Sequence, residues 1–192
     1  MSEREVLELD VLFVGAGPAS LAGAIHLKQL LRESGQDASV AILEKASEVG
    51  AHSLSGAIVD PRALNELFPD KSVTDFPFEA EVAEEHLYYL TAAKKIPFPF
   101  VPPAMNHHNC FVTSLGKLTR WLGGICENEE VDIFCGFAGT ELLYEGDRVI
   151  GVRTGDRGID KNGQKKPQFE PGADIHAKVI ILGEGTRGSL TK

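Results

Sequence analysis

Residues 11–25, VLFVGAGPASLAGAI, leave the backbone few choices. Val11 to Val14 form a short uninterrupted apolar run, the mark of a parallel strand covered on both faces. Gly15 and Gly17 follow at once, so the chain turns sharply there. Pro18 then suits the first turn of a helix, where its missing N–H costs nothing. Leu21, Ala24, Ile25 and Leu31 share one face of that helix, with Lys28 intruding on it. A second apolar run, Val40 to Leu43, ends in Glu44. Strand, glycine turn, helix, strand and terminal acid make a βαβ dinucleotide-binding fingerprint.

The chemistry of that fingerprint is physical. Its glycines let the backbone approach a pyrophosphate, and the helix N-terminus supplies aligned N–H groups and a positive dipole. Glu44 is placed to accept hydrogen bonds from an adenosine ribose. Two features depart from the usual pattern. Ser20 stands where a third glycine is expected, so helix and strand must pack against a hydroxymethyl group. Glu44 also lies 29 residues after Gly15, where about 20 is usual; the helix and the polar turn at Ser34 to Asp37 absorb the excess. The rival reading of Gly15 and Gly17 is a tight strand–helix turn that holds no ligand.

Bulk properties exclude several classes. The formal charge of −9 argues against a nucleic-acid partner, which needs a basic face. A polybasic anchor is absent too, so any membrane contact must be made by apolar side chains. The opening MSEREVLELD is charged and carries no apolar core, so no signal peptide is expected. No run approaches the ~18 apolar residues of a spanning helix. Cys110, Cys126 and Cys135 show no C-x-x-C spacing, which speaks against a disulfide framework and against a metal or cluster site made by these residues.

The far end of the chain favours FAD over NAD. HAKVIILGEGTRGSL reads as another buried strand, Val179 to Leu182, followed by Gly183, Glu184 and Gly185. Flavoproteins of the glutathione-reductase type often carry such a strand–Gly–acid–Gly turn at this point. The fold class expected is therefore α/β: a glutathione-reductase-type, Rossmann-like FAD-binding domain, with the start of an inserted second domain. Residues 1–75 and 114–192 are assigned to the first, and 76–113 to an excursion toward the second.

Three stretches, LEKASEVGAHSLSGAIVDPRALNELFPD, SLGKLTRWLG and HAKVIILGEGTRGSLTK, resemble the N-terminal portion of the electron transfer flavoprotein–ubiquinone oxidoreductase family. The likeness runs through nearly all 192 residues, and GAHSLSGA and GEGTRGSLTK are its most selective parts. The resemblance implies an FAD-dependent enzyme that passes electrons from reduced electron transfer flavoprotein to ubiquinone. It implies a peripheral, monotopic protein at a membrane surface, on the cytoplasmic side. It also implies a [4Fe–4S] cluster, whose cysteines and later flavin-ribityl motif fall in a region of the family beyond these 192 residues. None of the three cysteines here matches a cluster ligand.

Carried over residue by residue, Gly15, Ala16, Gly17, Pro18, Ala19 and Ser20 match the pyrophosphate loop. Glu44 matches the ribose acid, with Lys45 beside it. The loop Gly50 to Ala57 matches a segment next to the flavin, where Ser55 and Gly56 offer backbone N–H groups. Gly136 to Ala138, after the strand Val131 to Cys135, fall at an adenine contact, and Ala138 is the residue chosen there. Gly183, Glu184 and Gly185 complete the cofactor set. Asn109, where glycine is usual, and Thr186, where cysteine is common, depart from the family pattern. No catalytic side chain and no metal ligand is expected, since the cofactor carries the chemistry.

The excursion carries the oddest composition. EEHLYYLTAAKKIPFPF reads as two short strands turning around Thr91 to Lys94. IPFPFVPPAM, residues 96–105, then passes with four prolines and no charge, so it fits neither a helix interior nor the middle of a sheet. By the resemblance this run faces the quinone or lipid; the alternative is that Phe98, Phe100 and Val101 pack against another part of the protein. The segment Val49 to Asp70, with a short helix Arg62 to Phe68, is implied to share the membrane-contacting surface. His107 and His108 point to opposite faces of an extended strand and do not share an ion. Leu115, Leu118, Leu122 and Ile125 mark a packed helix bearing Trp121 and a buried Cys126. Asp156 to Gly172 reads as an exposed hairpin. Two other functions stay open: a flavin-dependent reductase or monooxygenase acting on isoprenoids, and a cofactor-binding fragment without turnover of its own.

Overall fold

The computed structural model describes residues 4–54, 56–160 and 164–192. In chain order, β1 (Val6–Val14), α1 (Pro18–Ser34) and β2 (Val40–Glu44) come first. They are followed by β3 (Ala57–Val59), α2 (Arg62–Leu67), β4 (Ala80–Glu81), β5 (Tyr88–Leu90), β6 (Lys95–Pro97) and β7 (Phe111–Thr113). Then come α3 (Leu115–Asn128), β8 (Asp132–Cys135), β9 (Gly139–Glu145) and β10 (Arg148–Thr154). The hairpin strands β11 (Arg157–Ile159) and β12 (Lys165–Glu170) precede the last strand, β13 (Asp174–Leu182). The chain divides into two compact units, Met1–Ser53 with Thr119–Lys192, and Leu54–Leu118. Residues 54–75 therefore cluster with 76–113.

The first unit is built on a six-stranded sheet of order β8-β2-β1-β13-β10-β9, so the α/β class holds. β8, β2, β1 and β13 run parallel, while β10 is antiparallel to β13 and to β9. The register sets Val14 beside both Leu43 and Leu182, and Glu44 beside Cys135. The carboxyl ends of all four parallel strands thus open on one side, where doubly wound sheets bind their ligands. Val40 to Leu43 are buried on both faces, as the uninterrupted apolar run requires. A core of Leu12, Val14, Ala41, Leu43, Val152, Ile175 and Ala177 fills one side of the sheet.

α1 begins at Gly17, which serves as its N-cap, with Pro18 in its first turn. Leu21, Ala24 and Ile25 are buried as the 3.6-residue period predicts. Lys28 keeps its stem largely covered and sends its ammonium to within 4.0 Å of Asp37. The helix stops at Gly35, whose φ of 64° closes a left-handed cap on the Arg32 and Leu31 carbonyls. On α3, Leu118, Leu122 and Cys126 are buried, and Trp121 is half-buried. The Cys126 thiol lies 3.5 Å from the Leu21 carbonyl, and burial pushes its pKa up to about 12, so it is inert packing.

One sequence expectation needs correction. Val179 and Ile181 are exposed, not buried, at 51% and 39%. Ile180 and Leu182 pack against the core on one face of the sheet, whereas Val179 and Ile181 alternate to the other face, where they are left exposed. An apolar run signals burial only when something covers both faces.

Asp10 on β1 accepts hydrogen bonds from the Lys178 ammonium at 2.6 Å and the Ser39 N–H at 2.8 Å. These hold its carboxyl at about 2, below the usual value of 3.8. A depressed folded pKa adds stability that is present above the unfolded value and is lost as pH falls through the folded one. Asp10→Asn is expected to flatten the fall of melting temperature between about pH 4 and pH 2; an unchanged slope in that window counts against the assignment.

The second unit holds a three-stranded antiparallel sheet, β3-β7-β4, and the β5–β6 hairpin. Phe68, Phe76, Phe78 and Phe111 form its aromatic core, with Phe78 and Phe111 stacked at 4.8 Å between ring centroids. The hairpin turns at Thr91 to Lys94 as expected, the Thr91 N–H bonding the Lys94 carbonyl at 2.9 Å. The proline run supplies the end of an edge strand at Ile96 and Pro97, then a single 3₁₀ turn, Pro103–Met105. Both places tolerate a missing N–H. His107 pairs with Glu85 and donates its own backbone N–H to that carboxylate at 2.7 Å. This contact lowers the Glu85 pKa and locks the two ends of the excursion together.

Asn109 adopts φ 61°, which explains why a glycine suits the position. Asn is the side chain that best tolerates this left-handed region. Asn109→Gly is expected to change stability by less than ~1 kcal/mol, and Asn109→Val to cost about 1–2 kcal/mol. Thermal unfolding of the pair checks this; equal melting temperatures would remove the backbone explanation.

Candidate functional site

The carboxyl ends of the parallel strands frame a cavity of about 530 Å3 that lies wholly within the first unit. That volume falls within the ~300–1,000 Å3 of small-molecule and cofactor sites. Nine of the residues singled out from sequence lie on its wall. Gly15, Ala16 and Gly17 come from the β1–α1 turn, and Glu44 and Lys45 from the end of β2. Ala138 precedes β9, and Gly183, Glu184 and Gly185 follow β13. Pro18, Ala19 and Ser20 are the first turn of α1 and are not on the wall. Gly56 belongs to the second unit and is not on it either. Ser55 lies outside the described residues.

Each glycine has its own reason. Gly15 has φ 96°, and a Cβ there would stand 2.7 Å from the Gly183 carbonyl oxygen. Its N–H meanwhile donates to the Leu43 carbonyl at 2.7 Å. Around Gly17 nothing lies within 4 Å of a would-be Cβ, so its bare backbone faces open space. No side chain caps the first N–H groups of α1, which leaves them free for an anion.

Ser20 takes the third-glycine position without loosening the helix. It is buried, and Gly183, just after β13, yields the room: a Cβ on Gly183 would sit 2.0 Å from the Ser20 Oγ. Close packing of helix against sheet is kept by moving the glycine to the other element. The hydroxyl has no hydrogen-bond partner among the described residues.

The two wall carboxylates are already engaged by backbone. Glu44 accepts from the Ala16 N–H at 2.9 Å and from the Ala46 N–H at 2.7 Å. An ionised carboxylate offers about four lone-pair sites, so roughly half of its capacity remains for a diol. Glu184 is more fully committed. It accepts from the N–H groups of Ser189, Leu190 and Thr191, at 2.9, 3.0 and 3.2 Å for its shortest contacts. It ties down the turn that follows β13.

Sequence reasoning missed other wall residues. His52 and Ser53 reach the cavity from the loop at Gly50. Phe137 is on the wall beside Ala138, and its N–H donates to the Glu44 carbonyl at 2.9 Å. Arg187 lines the cavity as well. The only sequence signal for these was adjacency to glycine turns. Among the described residues, no three His, Cys, Asp or Glu side chains are grouped to hold a metal ion. Among the same residues, no helix is long and apolar enough to cross a membrane.

No family model matches the chain. Among solved structures it is similar to a geranylgeranyl bacteriochlorophyll reductase-like protein from Thermoplasma acidophilum, with a TM-score of 0.60 and 20% identity over 92% of this chain and 39% of that one. It is also similar to a myxobacterial chondrochloren halogenase, a variant of the FAD-dependent halogenases, with a TM-score of 0.59 and 17% identity, covering 96% of this chain and 39% of the other. These likenesses establish the Rossmann-like fold of the flavoprotein type. In sequence, the chain is 47% identical over 195 aligned residues to a probable electron transfer flavoprotein–ubiquinone oxidoreductase of Acinetobacter baylyi, covering 99% of this chain and 34% of the relative. It is 45% identical to the Pseudomonas aeruginosa protein of that name, over 99% of this chain and 35% of the relative. It is 45% identical to the mitochondrial one of Mus musculus, over 99% and 31%. The chain thus spans about a third of the length of the curated relatives it matches. Over nearly its whole length, the chain is similar to a part of these electron transfer flavoprotein–ubiquinone oxidoreductases.

Proposed function

We propose that the first unit binds FAD and serves an enzyme that carries electrons from reduced electron transfer flavoprotein to ubiquinone. The observation that carries this reading is the cavity at the strand ends, where a Cβ-free cradle, an uncapped helix N-terminus and a half-engaged acid converge. The fit is chemical. Gly15 and Gly17 leave room for a diphosphate, and the first turn of α1 offers it N–H donors. Glu44 holds the adenosine ribose with its remaining lone pairs, and the loop at Gly136 to Ala138 borders the adenine. When bound, the flavin supplies the redox chemistry, taking up and releasing electrons. Ser53 and His52, from the loop at Gly50, border the flavin end. The [4Fe–4S] cluster belongs to the part of the family beyond the span matched here, and none of the three free cysteines is assigned to it.

The second unit, in this reading, meets the quinone and a membrane surface. Tyr89, Leu90 and Phe100 are 60%, 70% and 67% exposed, and Ile96 and Phe98 are about half exposed. Apolar side chains crowded on one hairpin and one proline run are costly in water and suit an apolar ligand or lipid. Contact is peripheral, and the acidic chain takes no nucleic acid.

The test is a visible spectrum of the protein before and after FAD is added and the mixture desalted. A retained, shifted flavin band is expected. Reduced electron transfer flavoprotein should then bleach that band, and added quinone should restore it. A colourless protein after desalting rejects the cofactor assignment. Bleaching by a nicotinamide cofactor in place of the flavoprotein moves the reading to a reductase or monooxygenase.

A further inference from the structure

We propose that Arg187 grips the diphosphate of the cofactor, while Glu184 serves only to aim it. The proposal rests on the dinucleotide reading of the cavity and adds Arg187, to which the sequence assigned no role, in the turn where Glu184 was the expected cofactor contact.

The wall carries two carboxylates, from Glu44 and Glu184, and two basic side chains, from Lys45 and Arg187. Both carboxylates already accept backbone N–H groups. Neither cation has an ion-pair or hydrogen-bond partner among the described residues. An unpaired guanidinium beside a cleft is matched best by a phosphate, which it can bind through two parallel N–H···O bonds. The helix N-terminus on the same wall adds N–H donors but no full charge, so Arg187 and Lys45 supply the charge that a dianion needs.

The position of Arg187 is set by the turn around it. Glu184 draws in the N–H groups of Ser189, Leu190 and Thr191, and Gly188 leaves no space for a side chain, since its Cβ would stand 2.5 Å from Glu184 Oε2. Gly185, at φ 77°, completes the turn. The backbone is therefore held compactly on either side of Arg187, an exposed residue that lines the cavity.

Equilibrium binding of ADP and of FAD to the parent chain, Arg187→Gln and Glu184→Gln tests this. Arg187→Gln is expected to weaken ADP and FAD about 10- to 100-fold, from the loss of a charged hydrogen bond. It should also lower the salt dependence of binding and leave the melting temperature unchanged, because no internal contact is lost. Glu184→Gln should lower the melting temperature. Arg187→Gln binding both ligands as tightly as the parent overturns the proposal and leaves the flavin reading intact. ADP bound by the parent and lost in Arg187→Gln, with no flavin retained, supports the proposal and rejects the flavin reading. Binding of neither ligand by the parent rejects both.

Discussion

Gly15→Ala is expected to destabilise the protein by about 2–5 kcal/mol and to abolish flavin retention. Two costs combine. A residue with a Cβ is strained at φ 96°, by about 1–2 kcal/mol or more. The new methyl would also stand 2.7 Å from the Gly183 carbonyl oxygen, a backbone atom that cannot rotate away, and overpacking of this kind costs about 1–3 kcal/mol. Domains hold only ~5–15 kcal/mol in all, so the shift will be plain in a urea titration. Any relief by displacement pulls β1 away from β13 and deforms the turn that faces the cavity. An unchanged urea midpoint in Gly15→Ala would show that the turn is not held as described.

Gly183→Ala is the second large effect, and its rescue is more telling than its damage. Its Cβ would come within 2.0 Å of the Ser20 Oγ, while the Ser20 Cβ would be 3.4 Å away, an ordinary contact. The single variant is expected to lose about 2–3 kcal/mol. Ser20→Ala alone should gain about 1 kcal/mol, because it removes a buried hydroxyl that has no partner among the described residues. In the double variant the clash is gone, so most of the loss should return and the coupling should exceed ~1 kcal/mol. Strict additivity in the double-mutant cycle would rule out the exchange of glycine between helix and strand. The cycle also separates packing from ligand contact, since Ser20 is not on the cavity wall.

Some of this was legible in residue order because it depends on local periodicity. Val40 to Leu43 announced a strand buried on both faces, and Gly15, Gly17 and Pro18 announced the turn into α1. The hairpin at Thr91 to Lys94 was visible for the same reason, as two short runs joined by a turn. Val179 and Ile181 misled because a run of apolar side chains reports what a strand prefers, while burial depends on which elements reach it. His107 found its partner 22 positions away at Glu85, a pairing with no local signature.

What the sequence by itself determined is the βαβ frame, the glycine turns and the acid at the end of β2, each dictated by backbone sterics within a few neighbouring residues. Only the tertiary structure decided that Gly183 makes room for Ser20, that Glu184 spends its charge on the turn, and that Arg187 is left facing the cavity. Those outcomes depend on atoms from β1, α1 and β13 meeting at distances of a few ångströms. Parallel pairing brings together residues more than 160 positions apart, and spacing along the chain does not encode it.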